Sequence, residues 1–153
     1  MTLTESVFQK CISPSCGAVF EVDDVLVTCR QCGELLDVVY DWNRSQPPDS
    51  LQQIERDWRN RSDPLCLSGV WRFHSLLPFA SREQVVTIGE GQTLLQPADA
   101  VGNYVGLNAG RLFLQYEGLN PSGSFKDNGM SAAFTHARIT GARRAACAST
   151  GNT

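Results

Sequence analysis

The alternation of apolar and polar positions is most regular in the last forty residues. Residues 111–117 read Arg-Leu-Phe-Leu-Gln-Tyr-Glu, a two-residue period that predicts a strand. Residues 118–124, made of Gly, Leu, Asn, Pro and Ser, predict a loop. Residues 125–140 place Met130, Ala133, Phe134 and Ala137 on one helical stripe, and Gly141 closes that helix. Residues 144–148 read as a second short strand and 149–153 as another loop, so the segment predicts a βαβ unit with parallel strands and a right-handed crossover.

Upstream the pattern is weaker. Residues 85–88 predict a short strand entering the turn Gly89-Glu90-Gly91, and residues 69–78 are apolar enough to pack on a neighbour. Residues 44–63 are polar, carry Pro47-Pro48, and predict a connector with a short helix that lines up Leu51, Ile54 and Trp58. Between Cys11 and Asp41, two cysteine pairs flank a β-rich stretch, the layout of a small zinc ribbon. The final loop reads as the cap of a helix still to come, and a lone βαβ unit leaves sheet edges and an apolar face uncovered. Both features predict a fragment of a longer protein.

Composition narrows the function. The 153 residues are 42% hydrophobic and 19% charged, with no apolar run long enough to cross a bilayer, which excludes a helical membrane protein. Residues 1–10 carry no secretion or organelle signal, which makes the cytoplasm the default location. A net charge of −3 gives no field that gathers phosphate backbones, so nucleic acid is disfavoured as a partner.

Six cysteines in a chain without a signal peptide point to metal ligands or buried thiols over a disulfide framework. Cys11-x4-Cys16 and Cys29-x2-Cys32 supply four thiolates for a tetrahedral ion, with Gly17 and Gly33 letting the backbone turn beneath it. Four protein ligands leave no open position, so zinc here would be structural; the plain alternative is four reduced thiols. Cys66 and Cys147 read as ordinary buried thiols, His74 and His136 as core or solvent residues, and Trp42, Trp58 and Trp71 as packing groups.

In a parallel sheet, loops leaving the C-terminal ends of neighbouring strands meet at one edge, where ligands bind. Those loops are residues 118–125 and 149–153. The first puts Lys126 in the opening turn of the helix, where the dipole disfavours an ammonium and favours the free amine that attacks an aldehyde cofactor. The second offers hydroxyls, an amide and backbone N–H groups to a carboxylate and a phenolic oxygen. A solvated lysine and a simple helix cap are the ordinary readings of the same residues.

Residues 117–127, Glu-Gly-Leu-Asn-Pro-Ser-Gly-Ser-Phe-Lys-Asp, resemble the Asn-Pro-Thr-Gly-Ser-Phe-Lys-Asp signature of threonine synthases and their fold-type II relatives. Residues 148–153, Ala-Ser-Thr-Gly-Asn-Thr, resemble the Ser-x-Gly-Asn loop of that family, and Gly69-Val-Trp-Arg-Phe73, Leu76-Leu77-Pro78 and Gly89-Glu-Gly-Gln-Thr93 look like segments ahead of its catalytic domain. The resemblance implies that Lys126 holds pyridoxal 5'-phosphate as a Schiff base and that Asn152 contacts the cofactor ring oxygen. It implies that Ser149, Thr150 and Thr153 hold the substrate carboxylate. Ser122 departs from the usual Thr, Asn128 from a common Arg, and Leu94 from a frequent Pro.

The fold so implied is α/β. A zinc-ribbon-like module (residues 1–43) and a connector with short helices (44–84) precede an incomplete fold-type II, tryptophan synthase β-like three-layer domain (85–153). The activity implied for the complete enzyme is that of a lyase of amino-acid biosynthesis, converting O-phospho-L-homoserine and water to L-threonine and phosphate. A homo-oligomer of the complete enzyme is allowed. The family's phosphate-cradling glycine loop lies beyond Thr153, so the fragment alone is expected to be inactive. The competing readings are another fold-type II lyase, a threonine dehydratase or a cysteate synthase-like enzyme, and a zinc-ribbon interaction module with a vestigial enzyme segment.

Overall fold

A computed structural model describes residues 6–151 of the chain. Its N-terminal sheet is three-stranded and antiparallel, with β1 (Val7–Cys11) between β2 (Val19–Glu21) and β3 (Leu36–Tyr40). Pairing Phe8 with both Glu21 and Val39 sets the register. That register turns Val7, Gln9 and Cys11 inward, while Lys10 faces solvent. The buried Gln9 amide is satisfied by donating to the carbonyls of Glu21 and Asp24, both at 2.8 Å.

The short helix expected within residues 44–63 forms. Helix α1 (Leu51–Trp58) buries Ile54, and Arg72 lies over the Trp58 ring at 4.9 Å. Short 3-10 segments follow at Pro64–Leu67 and, kinked at Phe73, at Trp71–Leu76; Asp63 caps the first by accepting from the Leu65 N–H at 3.0 Å, and Arg82 pairs with that carboxylate. Trp71 is wholly buried, donates its indole N–H to the Val86 carbonyl at 3.0 Å and packs on Phe79. Cys66 is buried as expected, its thiol against the Asp57 carbonyl.

The last third departs from the βαβ expectation. Strand β5 (Phe113–Gln115) pairs antiparallel with β4 (Leu95–Pro97), joined through the short helix α2 (Asp99–Tyr104), and residues 144–148 form no strand. A lone parallel pair is a weak arrangement, and β5 satisfies its backbone with the nearer segment. Residues 141–151 are exposed throughout, so Cys147 is an exposed thiol and not the buried one expected. Residues 85–88 also form no strand; the Val86 N–H donates to the Thr135 hydroxyl at 2.9 Å.

Helix α3 (Lys126–Ile139) matches its predicted span. Gly141, at φ +70°, ends it: the Ala142 N–H reaches the Ala137 carbonyl at 2.9 Å and the Gly141 N–H that of Arg138, a Schellman closure. The buried face is not the apolar one. Asp127, Ser131 and Thr135 are buried, whereas Ala133 and Phe134 are exposed, because Thr135 bonds to Val86 ahead of β4 and Asp127 to Ser122 in the loop that leads into the helix. His136 is half-buried, with its Nε2 2.7 Å from the Val22 carbonyl, and ties α3 to the N-terminal sheet.

Candidate functional site

The loop leading into α3 is built by local chemistry. Asn120, Pro121, Ser122 and Gly123 form a turn closed by the Gly123 N–H on the Asn120 carbonyl at 2.8 Å, with Pro in the second place, which its fixed φ favours. The chain then enters α3 with Lys126 as its first residue. The Lys126 N–H donates to the Ser124 hydroxyl at 3.2 Å, and the Asp127 carboxylate accepts from both the N–H (2.8 Å) and the hydroxyl of Ser122. An acidic residue in the first turn suits the helix dipole, and these bonds close the loop on itself.

Behind the loop lies a polar network. Asn120 is buried; its Oδ1 accepts from the Gly91 N–H at 2.7 Å, and its amide donates to the carbonyl (2.9 Å) and carboxylate (2.8 Å) of Glu117. The same carboxylate accepts from the Thr93 hydroxyl and the Asn128 amide, each at 3.4 Å. Gly91 in turn presses against Gly69: a Cβ on Gly69 would sit 2.5 Å from the Gly91 Cα. Glu90 is fully buried and accepts from the hydroxyls of Ser68 and Thr87 and from the Ile88 N–H. Burial raises its carboxyl pKa, but these hydrogen bonds outweigh it and hold the group below the usual range.

A cleft of about 510 Å³ opens on the outer side of this loop, lined by Tyr116, Glu117, Gly118, Ser122, Gly123, Ser124, Phe125 and Gly151. It is large enough for a small cofactor. Gly118 keeps its floor thin, since a Cβ there would collide with the Tyr116 ring at 2.7 Å. The two loops singled out from sequence therefore meet around one space, with Lys126, half-buried, following directly on the wall residue Phe125. Ser149 and Thr150 are exposed, and the Ser149 hydroxyl accepts from the Gly151 N–H at 3.0 Å. Asn152 and Thr153 lie outside the described residues. Sequence reasoning did not assign roles to Glu117, Asn120 or Asp127; the Asn-Pro turn and the acidic residue after Lys126 were the available signals for the last two.

At the other end, the sulfurs of Cys11, Cys16, Cys29 and Cys32 all lie within 4.8 Å of one another. Cys11 and Cys32 are 3.4 Å apart and Cys16 and Cys29 3.8 Å. A tetrahedron with metal–sulfur arms of about 2.3 Å has edges of about 3.8 Å, so the set fits a metal. Burial pushes the Cys29 thiol up, but the N–H groups of Gln31 and Cys32, with the thiols of Cys32 and Cys16, prevail and bring it down to about 7. The Cys11 thiol is raised, chiefly by burial.

Known proteins bear on both ends. Residues 86–153 match the family of pyridoxal-phosphate dependent enzymes. The chain is 40% identical over 144 residues to a threonine synthase of Methanosarcina acetivorans, covering 94% of this chain and 31% of that protein. It is 35% identical over 147 residues to one of Methanocaldococcus jannaschii, 96% of this chain and 33% of the other. A threonine synthase of Synechocystis matches at 47% over 81 residues, 53% of this chain and 21% of that protein. The chain thus spans about a third of the length of the first two of these curated relatives. Among the described residues no helix is long and apolar enough to cross a membrane.

Proposed function

We propose that this chain, related to the threonine synthases and carrying the sequence of pyridoxal-phosphate dependent enzymes over residues 86–153, is part of an enzyme that converts O-phospho-L-homoserine and water to L-threonine and phosphate. The observation that carries the reading is the meeting of the Lys126 loop and Gly151 around one cleft. Its thin glycine floor, its hydroxyls from Ser122 and Ser124 and its aromatic walls, Tyr116 and Phe125, fit the ring of the cofactor. Pyridoxal phosphate, when bound, supplies an aldehyde that captures amines and a ring that draws off electrons.

The chain's own residues do the rest. Lys126, first residue of α3 and next to the wall residue Phe125, supplies the amine and carries protons to and from the reacting carbon. Asn152 holds the cofactor ring oxygen, and Ser149, Thr150 and Thr153 hold the substrate carboxylate. Tyr116 and Phe125 offer exposed aromatic faces for the cofactor ring to pack against. The four cysteines hold a structural zinc ion in a module of residues 1–43, which the connector (44–84) joins to the catalytic part (85–153). Cysteines kept as thiols suit the reducing cytoplasm, where the enzyme would work.

The chain contains only two lysines, Lys10 and Lys126, which makes the assignment testable. Borohydride reduction in the presence of pyridoxal phosphate, followed by peptide mapping, is expected to fix the cofactor on Lys126 and to spare the exposed Lys10 on β1. Lys126→Ala should abolish the visible absorption of the bound cofactor. Equal labelling of the two lysines, or an unchanged yellow species in the variant, would overturn the reading. Phosphate release from O-phospho-L-homoserine by the polypeptide continued beyond Thr153 tests the reaction; release from O-phospho-L-serine alone would refute that substrate.

A further inference from the structure

We propose that Glu117 is a positioning residue that sets the direction of the Lys126 side chain through the first turn of α3, an inference that rests on the reading of Lys126 given above. Three successive residues of that turn are anchored separately. The Lys126 N–H is held by Ser124, the Asp127 carboxylate by Ser122, and the Asn128 amide by Glu117. Helical side chains are spaced by about 100° per residue, so Asp127 and Asn128 pin the turn in two different directions. A turn pinned twice cannot rotate about its axis, and the third direction, that of Lys126, is thereby fixed.

Glu117 is the hub of this arrangement. Its Oε2 accepts from Asn120 at 2.8 Å and Asn128 at 3.4 Å, and its Oε1 from Thr93 at 3.4 Å. These donors come from the turn, from α3 and from the loop before β4, and all are neutral; among the described residues no Lys or Arg pairs with this carboxylate. Asn128 Oδ1 is buried without a hydrogen-bond partner. An unpaired buried acceptor is costly, yet the amide cannot flip to relieve it, because the flipped group would turn its oxygen onto the Glu117 carboxylate. Glu117 therefore dictates which way Asn128 points. Asn120 reinforces the hub by committing its amide to Glu117 and its oxygen to Gly91, leaving Glu117 little freedom.

The test compares Glu117→Gln, Glu117→Ala and Asn128→Leu, each loaded with pyridoxal phosphate. Gln can keep its oxygen on the two asparagines and turn its NH₂ toward Thr93, so it should preserve the wild-type ratio of Lys126 to Lys10 labelling and the visible circular dichroism per bound cofactor. Ala should lower the labelling ratio about tenfold, the scale on which supporting residues act, and collapse the visible dichroism while the far-ultraviolet spectrum stays native. Asn128→Leu breaks the same link from the other side; it should reproduce the loss, and it decides the question if Glu117→Ala does not fold. Wild-type ratio and dichroism in folded Glu117→Ala or in Asn128→Leu would overturn the proposal, as would a Gln variant as impaired as Ala. Absence of Lys126 labelling in the wild type would instead remove the functional reading beneath it.

Discussion

The contact between Gly69 and Gly91 makes a quantitative prediction about what holds the Lys126 loop in place. A Cβ on Gly91 would lie 2.8 Å from the Gly69 Cα and 2.9 Å from Asn128 Oδ1, and Gly91 sits at φ +77°. Carbon atoms prefer about 3.5–4.0 Å, so the added methyl must displace backbone by close to 1 Å. Left-handed backbone costs a non-glycine residue about 1–2 kcal/mol, and overpacking adds about 1–3 kcal/mol. Gly91→Ala is thus expected to lose about 2–5 kcal/mol, and Gly69→Ala, with no positive φ, about 1–3 kcal/mol. For a chain of this size each kcal/mol moves the midpoint by about 2–4 °C, so Gly91→Ala should melt about 4–20 °C lower. Gly129 supplies the opposite sign: it lies inside α3 with nothing within 4 Å of a new Cβ, and Gly129→Ala should gain about 0.5–1 kcal/mol. Thermal denaturation followed by circular dichroism reads all three. The reasoning fails if Gly91→Ala melts within about 1 °C of the wild type, or if Gly129→Ala proves the less stable of the two.

Two further predictions concern Glu90 and the four cysteines. The Glu90 carboxyl is lowered from an ordinary 4.5, so the folded state gives up its proton more readily than the unfolded state; its contribution is complete above 4.5 and is lost as pH falls through the lower folded value. Glu90→Gln should therefore melt below the wild type at pH 7, with a gap that narrows as pH falls below 4.5; a gap that stays constant under acid would contradict the assignment. For the cysteines, elemental analysis is expected to find one zinc ion per chain, lost in Cys29→Ser. Four alkylatable thiols with no metal in the native protein would remove the site.

How much of this was legible beforehand depended on how local the chemistry is. The four cysteines could be read because each pair sits within one turn and the antiparallel strands only have to bring two turns together. The span of α3 and its glycine stop were readable for the same reason, since capping involves neighbours in sequence. The buried face of α3 was not. Periodicity marked Met130, Ala133, Phe134 and Ala137 as the inward stripe, but Asp127, Ser131 and Thr135 are buried because loop groups far away in sequence meet them: Thr135 takes the N–H of Val86, 49 positions earlier. Nor could a strand pattern at 111–117 say that its partner would be residues 95–97, antiparallel, and not residues 144–148.

These misses share a cause that bears on the site. Apolar stripes announce a helix that is held by burial, whereas the inner face of α3 is held by hydrogen bonds: the Thr135 hydroxyl donates to the Ser131 carbonyl at 2.8 Å while accepting from Val86, and Asp127 closes on Ser122. Burial is non-directional and tolerates small rotations of a helix about its axis, but bonds of fixed length and angle do not. On the reading proposed for Lys126, in which the first residue of α3 aims one amine, the second kind of attachment is the better suited. The segment 86–93 takes part in this attachment, directly where Val86 bonds Thr135 and indirectly where Gly91 and Thr93 bond Asn120 and Glu117, so on the proposed reading substitutions there should be felt at Lys126 without touching the cleft.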